Sequence, residues 1–93
     1  MFTGIIEEIG TVEQIRYGQY SAVLTISAKK VLKDTKIGDS IATNGVCLTV
    51  TALSSGCFSA DVMHETLNRS TLANLTRGSH VDLERAMPAD GRF

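Results

Sequence analysis

Asn44 and Gly45 stand between two runs that alternate apolar and polar residues, Ser40 to Thr43 and Val46 to Leu53. No other stretch restricts the fold of this chain so tightly. Both residues tolerate the positive φ that a tight primed turn demands, so the pair predicts a two-residue β-hairpin. In the second arm Val46, Leu48 and Val50 alternate with Cys47, Thr49 and Thr51. One face of that strand is therefore aliphatic, and the other is small and polar.

The same grammar extends along the chain. Glycines 10, 18, 38, 45, 56, 78 and 91 cut it into short segments, close to the roughly 8–12-residue spacing of a sandwich or barrel. A first strand is predicted from about Phe2 to Arg16, with Ile5 and Ile9 on its apolar face and a slip of phase to Val12 at a bulge or bend around Gly10. Tyr17-Gly18-Gln19 turns into Ser21 to Ser27, where Ala22, Leu24 and Ile26 share a face. Lys29 to Thr35 suits a short helical turn with Val31 and Leu32 buried, and Ser54-Ser55-Gly56 turns into Cys57 to Met63, with Phe58, Ala60 and Val62 inward. Glu65, Thr66 and Leu67 fit a short helix or turn, and Leu72 and Leu75 anchor the loop that follows. The last strand, His80 to Ala86, turns Val81 and Leu83 inward and ends before Pro88 and Asp90-Gly91. About six short strands joined by short connections predict an all-β, small closed antiparallel barrel with one or two short helices. Closure removes the edge strands that so small a sheet could not otherwise protect.

A chain of 93 residues makes one domain, and 43% hydrophobic residues suffice for a small core without metal or disulfide staples. Nine basic and ten acidic residues argue against an electrostatic grip on nucleic acid and against a polybasic membrane patch. No apolar run reaches the roughly 20 residues of a membrane span, and Met1 onward lacks a basic region followed by an apolar core. A cytoplasmic protein is expected. Cys47 and Cys57 are then free thiols, and their spacing with His64 and His80 fits no zinc knuckle, so no metal site is expected.

No residue pattern here spells out a catalytic apparatus: there is no P-loop, GxGxxG or GxSxG. What stands out is a polar lining made of Ser40, Cys47, Thr49, Thr51 and Asp61. Such neutral hydrogen-bonding groups beside apolar walls suit a planar heterocycle with amide edges. Each residue also has a plainer explanation. Threonine is common in strands, and a cysteine flanked by Val46 and Leu48 is usually a small hydrophobe, with no base nearby in sequence to activate it. His64 and His80 read as an exposed turn residue and an exposed strand end.

Three stretches resemble the N-terminal half of riboflavin synthases: MFTGII at Met1 to Ile6, GDSIATNGVCLTV at Gly38 to Val50, and DVMHETL at Asp61 to Leu67. The resemblance runs from Met1 to Phe93. It implies one of two similar six-stranded Greek-key barrels, each binding one lumazine, with the active site where the N-barrel of one subunit faces the C-barrel of another. It implies transfer of a four-carbon unit between two molecules of 6,7-dimethyl-8-ribityllumazine, giving riboflavin and a ribitylamino-pyrimidinedione. No metal or redox cofactor is required in that chemistry. The family's ligand-contacting segments fall on Gly4, Ile5 and Ile6; on Cys47, Leu48 and Thr49; and on Asp61, Val62, Met63, His64, Glu65 and Thr66. Its catalytic positions fall on Ser40 and Cys47, the latter debated as a nucleophile, and on Phe2 and Thr3 in the N-terminal segment.

Family members continue beyond LERAMPADGRF, Leu83 to Phe93, into a second barrel opening with Gly-Gly-His, so the resemblance leaves half of each active site outside these residues. A barrel without its sister is expected to pair with a second copy as a homodimer, where the full-length family forms homotrimers, and to be inactive by itself. Two other readings compete. One is a non-catalytic flavin or lumazine carrier, the antenna-like proteins of this fold, against which Ser40 and Cys47 speak. The other is an oligonucleotide-binding barrel, disfavoured by 5% aromatic residues and a net charge of -1.

Overall fold

The computed structural model describes residues 2–86. Its strands are β1 (Glu8–Tyr17), β2 (Ser21–Ser27), β3 (Ser40–Thr43), β4 (Val46–Ser54), β5 (Cys57–Met63) and β6 (His80–Arg85). Lys30–Leu32 forms a 3₁₀ turn after β2, and a short helix, α1 (His64–Arg69), follows β5. The strands close into a barrel in the order β1-β2-β5-β4-β3-β6, with every pairing antiparallel. Strands β3, β4 and β5 meander, and β6 returns beside β3, which is the Greek-key arrangement.

Period-2 alternation builds the interior. Leu24, Ile26, Ile41, Phe58 and Leu83 are fully buried, and Val31 closes the barrel from the 3₁₀ turn. Side chains of this size contribute about 1.5–3 kcal/mol each when removed from water. The hairpin forms as its turn residues dictate: Asn44 has φ 48° and Gly45 φ 84°, and Thr43 pairs with Val46 across the two-residue loop. Leu72 is buried and Leu75 partly so, which pins the connection into β6. Pro88 and Asp90-Gly91, expected to end that strand, lie outside the described residues.

The first strand departs from expectation. It begins at Glu8 rather than Phe2, because Gly4 turns the chain with φ 84° and Thr3 and Gly4 are held by the Glu84 side chain instead of a strand ladder. Ile5 and Ile9 are 70% and 65% exposed, so they are not its apolar face. The inward row is Gly10 and Val12, and a glycine carries no side chain by which sequence could mark it as inward. Gly10 is not the bulge either. The β1–β2 register slips between Val12 and Gln14, which brings Ile15 back toward the core. At Gly10 a Cβ would sit 2.6 Å from Leu83 Cδ1 and 2.8 Å from the Ser27 carbonyl oxygen, so glycine is required by close approach. A second slip, between Val50 and Ala52 of β4, bends that strand past the hairpin and leaves Leu53 partly exposed.

Candidate functional site

With Ile41 and Leu48 paired inward, the alternate residues of β3 and β4 must point out of the barrel. Ser40 therefore stands opposite Thr49, and Ala42 opposite Cys47, on the outer face. Across the next strand Val50 pairs with Ala60 in the core, so Thr49 and Asp61, one residue further along each strand, belong to the same outer surface. Thr49, Asp61 and Met63 are exposed, and Met63 leads directly into α1. Four residues singled out in the sequence, Ser40, Cys47, Thr49 and Asp61, are thus brought onto one face. On that face Cys47, Thr49 and Asp61 are exposed and Ser40 is half-buried.

The N-terminal segment flanks this face on the β6 side. Glu84 of β6 accepts hydrogen bonds from the Thr3 N–H (2.5 Å), the Thr3 hydroxyl (2.7 Å) and the Gly4 N–H (3.1 Å). Glu84 pairs with Ala42, and Ala42 with Cys47, so the segment is tied down two strands from the cysteine. Further along, Glu7 receives a forked pair from Arg85, Nε to Oε1 at 3.1 Å and Nη2 to Oε2 at 2.7 Å, plus the Arg85 N–H at 2.8 Å. Those hydrogen bonds from Arg85 hold the Glu7 carboxyl below its ordinary value. For Glu84 burial pushes upward, but the bonds from Thr3 and Gly4 outweigh it and the carboxyl also lies below its ordinary value.

The other flank is α1. Leu67 is buried, while Glu65 and Thr66 face solvent; Glu65 meets Arg69 at 3.3 Å in an exposed pair worth about 0.3–0.5 kcal/mol. His64 is half-buried instead of exposed. Its Nε2 lies 2.9 Å from the Gly18 carbonyl oxygen, and its ring tilts against Tyr17 at 6.2 Å, joining α1 to the β1–β2 turn. His80 is exposed at the start of β6, as expected of a strand end.

Leu48 and Val62 are 3% and 2% exposed, so their side chains belong to the core and leave main-chain groups as their offering to the outer face. Phe2 is half-buried, and Ile6 remains 47% exposed. Among the described residues no side chain hydrogen-bonds the exposed Cys47 thiol, and no group of three or more His, Cys, Asp or Glu converges as a metal site. An open cleft of about 450 Å³ lies elsewhere, between Glu8, Thr11, Ser27, Lys29 and Gly56. None of the expected residues lines it, and the Glu8 carboxylate there is occupied by the Lys29 and Val31 N–H groups.

Glu84 and Glu7 were not among the residues singled out in the sequence. Their partners are about eighty positions away, at separations of 81, 80 and 78, and no local pattern encodes such a contact. The one available signal was a glutamate beside the inward Val81 and Leu83, in a strand where glutamate is disfavoured.

Known proteins resemble this chain in both sequence and shape. A riboflavin synthase of Actinobacillus pleuropneumoniae is 60% identical over 93 residues, all of this chain and 43% of the relative. The chain thus spans less than half the length of the curated relatives it matches. Crystal structures of LumP superpose on the barrel. The complex with riboflavin has a TM-score of 0.83 and 28% identity, covering 91% of this chain and 46% of LumP. The complex with 6,7-dimethyl-8-(1'-D-ribityl) lumazine has a TM-score of 0.84 and 28% identity, covering 92% and 49%. The family model described as "Lumazine binding domain" matches residues 3–86, which is nearly the whole described barrel, and the chain belongs to that family.

Proposed function

We propose that this chain is the N-terminal barrel of a riboflavin synthase and binds riboflavin or 6,7-dimethyl-8-ribityllumazine on the outer face of β3, β4 and β5. One observation carries the reading: the outward row of Ser40, Cys47 and Thr49 beside Asp61 lies within a chain 60% identical to a riboflavin synthase over its whole length. Main-chain groups of Cys47 to Thr49 and the Thr49 hydroxyl suit the amide edge of the heterocycle. Asp61 and Thr66 suit ribityl hydroxyls or a ring nitrogen. Phe2 and Thr3, on the tethered segment, border the same site. Ser40 and Cys47 are the side chains offered to assist reaction.

In the complete enzyme two such barrels would hold two lumazines face to face. One gives up a four-carbon unit to the other, leaving riboflavin and a ribitylamino-pyrimidinedione. No metal or redox cofactor enters. Positioning supplies most of the rate, and a misplacement of about 1 Å can cost on the order of a hundredfold. A barrel with no sister facing it would therefore have negligible synthase activity, and we infer that it pairs with a second copy as a homodimer in a cytoplasmic setting. The carrier reading is weaker, since identity to LumP is 28% against 60% to the synthase. Quenching of riboflavin fluorescence on titration tests ligand binding for either reading. Riboflavin formation when a second synthase barrel is supplied separates them: activity supports the synthase, and binding without activity supports a carrier.

A further inference from the structure

We propose that Glu84 is a positioning residue for the ligand site: its carboxylate holds Thr3 and Gly4 against the outer side of β6 and thereby fixes Phe2 beside the face that carries Cys47 and Thr49. This role rests on the ligand-binding reading above.

The geometry points to it in three ways. Val81 and Leu83 face the core, so Glu84 points outward, yet it is 4% exposed. A charged side chain on the outer wall is buried there under the segment whose groups it binds. Three donors converge on it, from the Thr3 N–H, the Thr3 hydroxyl and the Gly4 N–H, and the Thr3 hydroxyl in turn accepts from the Ile5 N–H at 3.1 Å. Bonds to a carboxylate are shorter and more directional than neutral ones, so they fix the path of the chain as well as its proximity. Gly4, with φ 84°, lets the backbone bend straight after the tethered residue.

The segment is also not needed to complete the sheet. β6 already pairs with β1 on one side and β3 on the other, so the barrel has no open edge for residues 2–6 to cover. What the tether does accomplish is placement. The row Glu84–Ala42–Cys47 crosses two strand spacings, or about 10 Å, so the tethered Thr3 and Gly4 stand at the rim of the candidate site with Phe2 next to them in the chain.

The test is a riboflavin titration, followed by flavin fluorescence, of the unaltered chain and of Glu84→Gln, Phe2→Ala and the double variant. Amide shifts of Thr3 and Gly4 are recorded on the same samples. Glu84→Gln keeps the shape but turns one acceptor into a donor, so the tether loosens, the Thr3 and Gly4 amides shift, and Kd rises about tenfold. Phe2→Ala also weakens binding, and the double variant binds no worse than the weaker single, because both changes remove one interaction. Glu84→Asp keeps the charge but shortens its reach, so it too shifts the Thr3 and Gly4 amides and raises Kd; it decides the question if Glu84→Gln does not fold. Unchanged Kd in Glu84→Gln with displaced Thr3 and Gly4 amides would overturn the positioning role alone, as would strictly additive effects. Absence of saturable quenching in the unaltered chain would overturn the ligand reading and this role together.

Discussion

The hairpin of β3 and β4 and the segment before β1 are held in opposite ways. The hairpin rests on a ladder of main-chain bonds between residues a few positions apart, with Ile41 and Leu48 buried beneath it. The segment rests on one main-chain bond, from the Glu7 N–H to the Leu83 carbonyl oxygen, and on two carboxylates, Glu84 and Glu7, whose partners lie 78 to 81 residues away. In the first region many interactions share the load and none of them titrates. In the second, a few charged bonds carry it, so the segment can be released while the barrel stays folded. The two regions border the same outer face, one supplying its floor and the other its rim.

The sharpest way to break this contrast is to attack the floor from beneath. Leu48→Ala should cost about 2–5 kcal/mol in global stability, read from denaturant unfolding, because a core side chain on the hairpin is deleted. A smaller but still global loss is expected for Gly10→Ala. The added Cβ would meet both Leu83 and the Ser27 carbonyl, and overpacking of this kind costs about 1–3 kcal/mol. Thr43→Val should go the other way. Its hydroxyl is buried with no partner among the described residues, and its loss should stabilise the hairpin by about 1 kcal/mol, seen as a raised unfolding midpoint. A neutral or destabilising result would mean that hydroxyl is satisfied by water.

Acid should act on the rim before the floor. The Glu84 carboxyl is lowered in the folded chain, because the bonds from Thr3 and Gly4 outweigh its burial. Its contribution is therefore complete above the ordinary glutamate value of about 4.3 and is lost as pH falls through the lower folded value. Amide shifts of Thr3 and Gly4 should stay flat from neutral pH down to that ordinary value and inflect below it. Hairpin amides around Asn44 and Gly45 should show no matching inflection. An inflection above the ordinary value would contradict the stated direction.

These differences also explain what the sequence made legible. The strands, their faces and the hairpin follow from alternation and from Asn44-Gly45, which are local signals, and so do the outward positions of Ser40, Cys47, Thr49 and Asp61. The phase of β1 did not follow. Gly10 faces inward without a side chain to show it, and the bulge between Val12 and Gln14 moves Ile15, so alternation marks Ile5 and Ile9 as a buried face that solvent in fact reaches. The bulge in β4 and the tethers of Glu84 and Glu7 depend on partners that only the closed barrel brings together. Family resemblance pointed to the N-terminal segment, but not to what holds it.

We propose that the ligand lies on the outer face of β3, β4 and β5, rimmed by the tethered segment. Amide shift mapping during a riboflavin titration tests it most directly. The account predicts saturable changes at Thr3 to Ile6, Cys47 to Thr49 and Asp61 to Thr66, with little change at Lys29 to Lys36. Changes concentrated instead around Glu8, Ser27, Lys29 and Gly56, the residues of the separate cleft, would contradict it.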